Sequence, residues 1–211
     1  MRLREVKRLI DLCLYEDELY CCGYNRIAGV DEAGRGSLAG PIIAAAVMLD
    51  RKKMIIEQLN DSKKLSSGKR NRIFRKIIKS CICWSFAKIS PAVIDRINIG
   101  KANLLVMRKA VIRLKVRPDL VITDAFKIDL DHFKLQSIPI TKGDELSVSI
   151  AAASVIAKVI RDRIMLKYSR IYPEYDLENN KGYGTKKHFQ LLKEVGPSKI
   201  HRISFKGVLK R

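Results

Sequence analysis

The sequence lacks the features of a secreted or membrane-embedded protein. Its five cysteines are an odd number and include no C-x-x-C pair, which argues against a disulfide framework and against a zinc site. No run of about 18 apolar residues is present, and the N-terminus leads into a charged segment rather than a signal-peptide core. We therefore expect an unprocessed cytoplasmic protein that has no membrane contact and uses its cysteines as small apolar residues.

Histidine is scarce, and internal repeats and Pro/Gly/Ser-rich linkers are absent. His132, His188 and His201 share no ligand spacing, so we interpret them as surface or substrate-side residues and not as metal ligands. The chain has 211 residues, of which 47% are hydrophobic. This length predicts one domain, with room for a small appendage.

Acidic residues are few relative to basic ones. Lys and Arg number 42 against 22 Asp and Glu, a formal charge of +20. Such an excess usually indicates a polyanionic partner, with nucleic acid first and a membrane surface as the main competitor. Residues 61–80 are strongly basic, and we predict a nucleic-acid contact there, or else a solvated helix face. A second basic cluster comprises Lys181, Lys186, Lys187, Lys199 and Arg202.

Strand and helix patterns alternate along the chain. The predicted strands cover residues 27–31, 41–49, 83–89, 120–123 and 135–140, and the main predicted helices cover 3–20, 69–79, 102–114 and 145–171. The first three strands could form an antiparallel meander, and the later alternation favours parallel pairing. We predict an α/β fold with a mixed five-stranded sheet flanked by helices, followed after residue 172 by a small C-terminal helical appendage.

The segment 27–36 is the most informative part of the chain. Its apolar run ends in Asp31 and Glu32, whose carboxylates are hard ligands for a divalent cation. Gly34 and Gly36 allow close approach of the backbone, and Arg35 carries donors suited to phosphate or sugar oxygens. The alternative is a strand that simply ends in a charged, Gly-rich turn.

Two more acids follow predicted strands. Asp124 ends the fourth strand and Asp144 follows the fifth, so both could meet Asp31 at the carboxyl edge of the sheet and bind metal. Glu32 could join them only if the first strand breaks there, because neighbours on a regular strand point to opposite faces. Alternatively, Asp144 caps a helix and Asp124 forms a turn.

Several motifs, in order over residues 26–206, resemble those of ribonuclease HII, the type 2 ribonuclease H family. Residues 31–41 are similar to its signature, and the other matching segments are 61–65, 103–110, 143–158, 181–185 and 201–205. Ser37 stands where the family usually has proline, and Ala125 where glycine is common; both affect local loop geometry. The short segment before the first strand fits the HII branch better than the HIII branch.

The resemblance implies a ribonuclease H-like fold and a metal-dependent endoribonuclease. Such an enzyme hydrolyses the RNA strand of RNA/DNA hybrids and cuts 5′ of ribonucleotides embedded in duplex DNA, leaving 5′-phosphate and 3′-hydroxyl ends. Asp31, Glu32, Asp124 and Asp144 would hold two Mg²⁺ or Mn²⁺ ions. Residues 1–172 would be the catalytic core with its N-terminal helix, and residues 173–211 a substrate-binding appendage.

The resemblance also implies substrate contacts. The backbone of Gly34, Arg35 and Gly36 would contact the ribose 2′-hydroxyl, and Tyr183 would stack on the deoxyribose that follows. Lys63 and Lys64, next to the predicted site, are expected to contact phosphates. We expect a monomer and leave a replication-clamp contact open, although residues 207–211 contain no obvious clamp-binding peptide.

Three other functions stay open. A nucleic-acid-binding protein without activity, or a ribosomal-type structural protein, would explain the charge but not the acids at three strand ends. Another nuclease or transposase of the ribonuclease H-like fold would explain both. It would cleave all-DNA strands, whereas the segment 34–36 and Tyr183 predict dependence on a 2′-hydroxyl.

Overall fold

A computed structural model describes residues 3–209 of the chain. The predicted core (1–172), the predicted appendage (173–211) and the C-terminal segment (207–211) include four residues that lie outside the described ones. These are Met1, Arg2, Lys210 and Arg211. The strands are β1 (Ile27–Ala33), β2 (Ile42–Leu49), β3 (Cys81–Ile89), β4 (Leu120–Asp124) and β5 (Gln136–Ile140). The helices are α1 (Leu3–Cys21), α2 (Ser67–Ser80), α3 (Pro91–Ile97), α4 (Ile99–Ile112), α5 (Gly143–Leu146), α6 (Val148–Ile171), α7 (Leu177–Asn180) and α8 (Lys186–Val195). Between residues 3 and 209, no helix has both the length and the apolar character that crossing a bilayer requires.

The five strands form one mixed sheet in the order β3-β2-β1-β4-β5. β1, β2 and β3 pair in antiparallel fashion, whereas β1, β4 and β5 pair in parallel. Helices α1, α2 and α6 cover one face, and α3 and α4 cover the other. Every residue of β2 is buried because both faces are covered, which explains its unbroken apolar sequence. The predicted mixed sheet flanked by helices is confirmed.

Two predicted boundaries at the site are wrong. β1 does not end at Asp31 but continues to Ala33, because β2 pairs with it as far as Ala33 and Ile43. The long helix begins at Val148 and not at residue 145, because the hydroxyl of Ser147 caps it by accepting a hydrogen bond from the Ile150 N–H at 3.2 Å. Both differences change the backbone that carries the predicted acids.

Glu16 of α1 connects the first helix to the start of α6. Its Oε1 accepts hydrogen bonds from the Ser147 hydroxyl at 2.6 Å and from the Ser149 N–H at 2.9 Å. A carboxylate at a helix N-terminus is favoured by the unpaired N–H groups there. Burial raises the pKa of Glu16, and these hydrogen bonds oppose the rise. No sequence pattern indicates that this acid is buried.

The C-terminal residues form a small core of their own. Its buried members are Leu38, Ala39, Met165, Tyr175, Leu177, Leu192, Ile200 and Val208. Because Leu38 and Ala39 belong to the loop after β1, the C-terminal segment packs directly on that loop. The division of the chain at residue 172 stays a prediction.

Candidate active site

Three aspartates meet at the carboxyl edge of β1 and β4. The pairing of these parallel strands ends at Val30 and Thr123, so Asp31 and Asp124 are the next residues on two adjacent strands. Asp144 comes from α5, immediately beyond β5. One carboxylate oxygen of each aspartate lies within 4.8 Å of the others. The structure thus brings together the three acids that the sequence places at strand ends.

Burial and mutual repulsion perturb these carboxylates. Burial first, and then the charges of Glu32 and Asp124, raise the pKa of Asp31 well above its usual value. Burial and the charge of Asp144 raise the pKa of Asp124. Lys63 Nζ lies 3.2 Å from Asp144 Oδ2 and supplies one positive charge at the edge of the group. Closely spaced carboxylates that offer only oxygen ligands suit a hard divalent cation, which would remove this repulsion.

Glu32 lies beside the three aspartates but is not one of the group whose oxygens fall within 4.8 Å. The condition set by the sequence, a break in β1, is not met, because the strand continues through Ala33. Burial and the charge of Asp124 nevertheless raise the pKa of Glu32 to about 7. Its Oε2 is buried and has no hydrogen-bond partner among residues 3–209. An unpartnered carboxylate oxygen next to three aspartates fits a metal ligand.

The simpler explanations for Asp144 and Asp124 do not account for their positions. Asp144 lies inside α5, and the cap of α6 is Ser147. Asp124 Oδ1 accepts a hydrogen bond from the Gly143 N–H at 2.8 Å, which fixes α5 against the end of β4. Ala125 follows with φ +58°, a conformation that is unfavourable for alanine. Alanine in place of the glycine that is common in the resembled family therefore places a small backbone strain next to the acids.

The loop 34–36 surrounds a buried guanidinium group. Arg202 donates to the carbonyl of Gly34 at 2.7 Å and to that of Arg35 at 2.8 Å. A trans peptide directs its carbonyl and the following N–H in opposite directions, so the N–H groups of Arg35 and Gly36 point away from Arg202. Neither donates a hydrogen bond within the described part of the chain. Two backbone donors are thus available close to the acids.

The placement of Arg202 in a basic surface cluster was wrong. Its side chain is fully buried, and its guanidinium group donates hydrogen bonds to the carbonyls of Gly34, Arg35 and Gly40. Burial and the nearby charge of Arg161 lower the pKa of Arg202 to about 9. The role of Arg202 is therefore to hold the loop, and no feature of the sequence distinguishes it from the lysines of the basic cluster around it.

A second buried arginine supports the same loop. Arg161 of α6 donates to the carbonyls of Ala39 and Pro41 at 3.2 and 3.3 Å. Gly34 has φ +90°, and a Cβ at this position would lie 1.9 Å from Arg161 Nε. Only glycine fits at this position of the loop, because any Cβ would collide with the guanidinium group. The one sequence signal for Arg161 is a charged residue that follows directly on the apolar stripe of α6.

Tyr183 lies beside this loop. Gly182, immediately before it, accepts hydrogen bonds from the N–H groups of Leu38 and Ala39 at 2.8 and 3.2 Å. The Tyr183 ring is 36% exposed and has Lys158 Nζ 5.2 Å and Arg161 Cζ 5.0 Å from its centre. The structure therefore places Tyr183 next to the segment 34–36, as a ring with two positively charged groups near it.

The two lysines predicted near the site differ in position. Both belong to a short 3₁₀ turn, Ser62–Lys64, that is capped by Asp61. Lys63 contacts Asp144, whereas Lys64 pairs with Glu145 on the outside of the group. Of the two, only Lys63 contacts one of the clustered aspartates.

The predicted position of the histidines, at the surface or on the substrate side, is wrong for two of the three. His132 is exposed, but His188 and His201 are buried, with exposed fractions of 0% and 2%. Their Nε2 atoms lie 3.1 Å apart. The two residues are 13 positions apart in sequence, so no local pattern could reveal the contact.

Comparison with known proteins gives a consistent result. A sequence profile of the ribonuclease HII family matches residues 28–208. A ribonuclease HII from Caldicellulosiruptor bescii is 49% identical over 205 residues, which are 97% of each chain. The structure of ribonuclease H2 from Pyrococcus horikoshii OT3 matches with a TM-score of 0.73 at 26% identity, over 87% of this chain and 95% of that chain. The RNase HII of a PCNA complex from Archaeoglobus fulgidus matches with a TM-score of 0.73 at 27% identity, over the same shares of 87% and 95%.

Proposed function

The chain belongs to the ribonuclease HII family, metal-dependent ribonucleases that cleave the RNA strand of RNA/DNA hybrids, and we propose that it also cuts DNA duplexes 5′ of single embedded ribonucleotides. The observation that carries this proposal is the pair of N–H donors of Arg35 and Gly36, which are free as far as the chain is described and which follow Asp31 and Glu32 by only a few residues. A hydrolytic site and a recognition site for one hydroxyl group are thereby adjacent.

Asp31, Glu32, Asp124 and Asp144 are the proposed ligands of two Mg²⁺ or Mn²⁺ ions. Bound ions would supply an activated water and positive charge on the scissile phosphate, with products that end in 5′-phosphate and 3′-hydroxyl. The chain's own part is to position the ligands. The Gly143 N–H orients the Asp124 carboxylate, and β2 holds Asp31 in register through its pairing with Ala45.

Recognition of the ribonucleotide is assigned to the loop and to Tyr183. The N–H groups of Arg35 and Gly36 would donate to the 2′-hydroxyl, which only a ribonucleotide carries. Tyr183 would stack on the next sugar, and Lys63 would contact a phosphate at the edge of the acid cluster. Because 42 basic residues face 22 acidic ones, duplex binding should weaken as the salt concentration rises.

The state and location of the protein stay predictions from the sequence, namely a monomer in the cytoplasm. The Archaeoglobus fulgidus relative is known in complex with PCNA. For this chain a clamp contact is an open possibility that co-purification with the clamp of the same organism would test.

The test compares three substrates: a duplex with one ribonucleotide, its all-DNA counterpart and an RNA/DNA hybrid. Each is incubated with Mg²⁺, with Mn²⁺ and with EDTA. We expect metal-dependent cutting 5′ of the ribonucleotide and within the hybrid, and an intact all-DNA duplex. The control is Asp124→Asn, whose Oδ1 can still accept the Gly143 N–H, so that the loss of activity reflects the lost charge.

Two outcomes would contradict the proposal. Cutting of the all-DNA duplex would assign a general nuclease of the same fold. Binding that survives EDTA, with no cutting in either metal, would leave a nucleic-acid-binding protein.

A further inference from the structure

A buried chain of hydrogen bonds leads to Tyr183 through the two histidines. The Ser198 N–H lies 3.0 Å from His201 Nδ1, and His201 Nε2 lies 3.1 Å from His188 Nε2. His188 Nδ1 then lies 2.9 Å from the Tyr183 carbonyl oxygen. The chain of contacts connects the segment after α8 with the residue proposed to read the sugar next to the ribonucleotide.

The two ends of this chain fix the position of every proton in it. A backbone N–H can only donate, so His201 Nδ1 accepts and His201 carries its proton on Nε2. The Ser198 hydroxyl lies 2.9 Å from the same Nδ1 and, as a group that can donate or accept, acts there as a second donor. A carbonyl oxygen can only accept, so His188 carries its proton on Nδ1 and accepts at Nε2. The two assignments agree, because one Nε2 donates and the other accepts. Both imidazoles are neutral, and the last N–H of the chain points at Tyr183.

Burial keeps the two rings neutral. Burial and the nearby His188 lower the pKa of His201 to about 4, and burial lowers the pKa of His188. The Tyr175 ring lies 4.6 Å from the His201 ring and covers the pair. A second proton on His188 would place two N–H groups face to face at 3.1 Å, and a second proton on His201 would face the Ser198 N–H at 3.0 Å.

The loop before Tyr183 needs such support. Lys181 and Gly182 have φ +50° and +80°, two successive residues in the left-handed region, which is unfavourable for lysine. Asn180 Oδ1 accepts the Gly182 N–H at 2.7 Å and holds the loop from one side. The His188 side chain holds the loop from the other side, through the contact of its Nδ1 with the Tyr183 carbonyl. His188 is itself held at the start of α8, because its N–H donates to the Thr185 hydroxyl at 3.1 Å.

We propose that His188 and His201 are positioning residues for Tyr183: the ordered imidazole pair directs one N–H to the Tyr183 carbonyl and so sets the direction of its ring toward the substrate. This inference rests on the proposed role of Tyr183. Packing alone would not require histidine at either position, because apolar side chains fill a buried site without a desolvation cost. What histidine adds is a donor whose direction is set from Ser198.

The first experiment requires no activity. Nitrogen-15 NMR of the protein with labelled histidines at neutral pH should show His188 protonated on Nδ1 and His201 protonated on Nε2, assigned with single histidine variants. The opposite tautomers, or a charged ring, would overturn the inference. This result is independent of whether the protein cuts embedded ribonucleotides.

The second experiment uses two substitutions that differ by one methylene group. The amide nitrogen of His188→Asn takes the place of Nδ1 and can still donate to the Tyr183 carbonyl, whereas that of His188→Gln takes the place of Nε2 and cannot. The quantity measured is the junction preference, the ratio of kcat/KM on the single-ribonucleotide duplex to kcat/KM on the hybrid. A merely structural role changes both rates by the same factor and leaves this ratio unchanged.

We expect His188→Gln to lower the junction preference by about 5- to 10-fold, the effect of one buried hydrogen bond, and His188→Asn to keep it within about 2-fold of the parent. Tyr183→Ala should lower the ratio as well, and adding His188→Gln to it should lower it no further. Equal ratios for the two His188 variants, or additive losses in the double variant, would overturn the proposal. A parent that cuts the hybrid but not the single-ribonucleotide duplex would refute the proposed function instead, and the NMR result would still decide the proton order.

Discussion

Replacing Gly34 by alanine should destabilise the protein strongly, although it adds a single methyl group. Gly34 has φ +90°, where an alanine residue is strained by about 1–2 kcal/mol. The new Cβ would also lie 1.9 Å from Arg161 Nε and 2.5 Å from Arg161 Cδ, far inside van der Waals contact. Arg161 is fully buried, so it has no solvent into which it could move.

Moving Arg161 would break its hydrogen bonds to the carbonyls of Ala39 and Pro41. Leaving buried partners unpaired costs about 1–3 kcal/mol. Together with the backbone strain, Gly34→Ala should lower the free energy of unfolding by about 2–5 kcal/mol. With a urea m-value of about 2–3 kcal/mol/M for a chain of this size, the unfolding midpoint should fall by about 1–2 M.

Gly36→Ala is the matched control for this experiment. It lies two residues further along the same loop, its φ is outside the left-handed region, and a Cβ there would meet no atom within 4 Å. Urea unfolding followed by circular dichroism should show a midpoint within about 0.3 M of the parent protein for this variant. Similar midpoints for Gly34→Ala and Gly36→Ala would refute the reasoning, because of these two glycines only Gly34 has no room for a Cβ.

Three further predictions concern the buried acids and the histidine pair. Asp31→Asn should raise the free energy of unfolding in EDTA by about 1–2 kcal/mol, because it removes a buried like charge; a lower Tm of the variant in EDTA would contradict this. We expect Mn²⁺ to raise the Tm of the parent protein in a thermal melt and to leave the Tm of this variant unchanged. Glu16→Ala should lower stability to urea by about 2–3 kcal/mol and Glu16→Gln by under about 1 kcal/mol, because glutamine still offers an oxygen to Ser147 and Ser149; equal losses would be inconsistent with capping. Below pH 6.5 the unfolded chain protonates His201, whereas the folded protein, in which the pKa of His201 is about 4, does not, so the free energy of unfolding should fall by about 3 kcal/mol as the pH drops from 6.5 to 4. Urea titrations of His201→Phe should show a smaller fall over that range, and an unchanged one would argue against the pair as the cause.

The sheet and the acids could be predicted because both depend on local patterns. Apolar runs define β1, β2 and β4, and an acid directly after a run in a parallel pair lies at a known edge of the sheet. The condition placed on Glu32 followed from the same geometry, and Glu32 is not a member of the group of acids whose oxygens all lie within 4.8 Å of one another. These inferences require only the period of a strand and the direction of its neighbours.

The support of the site could not be predicted, because it depends on contacts between distant parts of the chain. Arg202 and Gly34 are 168 positions apart, and Glu16 and Ser147 are 131 apart. A buried arginine that serves backbone carbonyls has the same sequence signature as a surface arginine that serves phosphate. The sequence therefore predicts a basic surface cluster that includes Arg202 and a surface or substrate-side position for His188 and His201, whereas all three side chains are buried.

The contact between Arg202 and the loop 34–36 also has a consequence for biosynthesis. The acids and the sheet edge are encoded in the first 144 residues of the sequence. The guanidinium group that holds the loop 34–36 belongs to Arg202, which is synthesised 58 residues after Asp144. A ribosome-bound chain acquires the formed loop only after the segment that contains Arg202 has left the exit tunnel. A nascent chain that is surrounded by messenger RNA thus carries the carboxylates proposed to hold the metal ions without the element proposed to select the substrate.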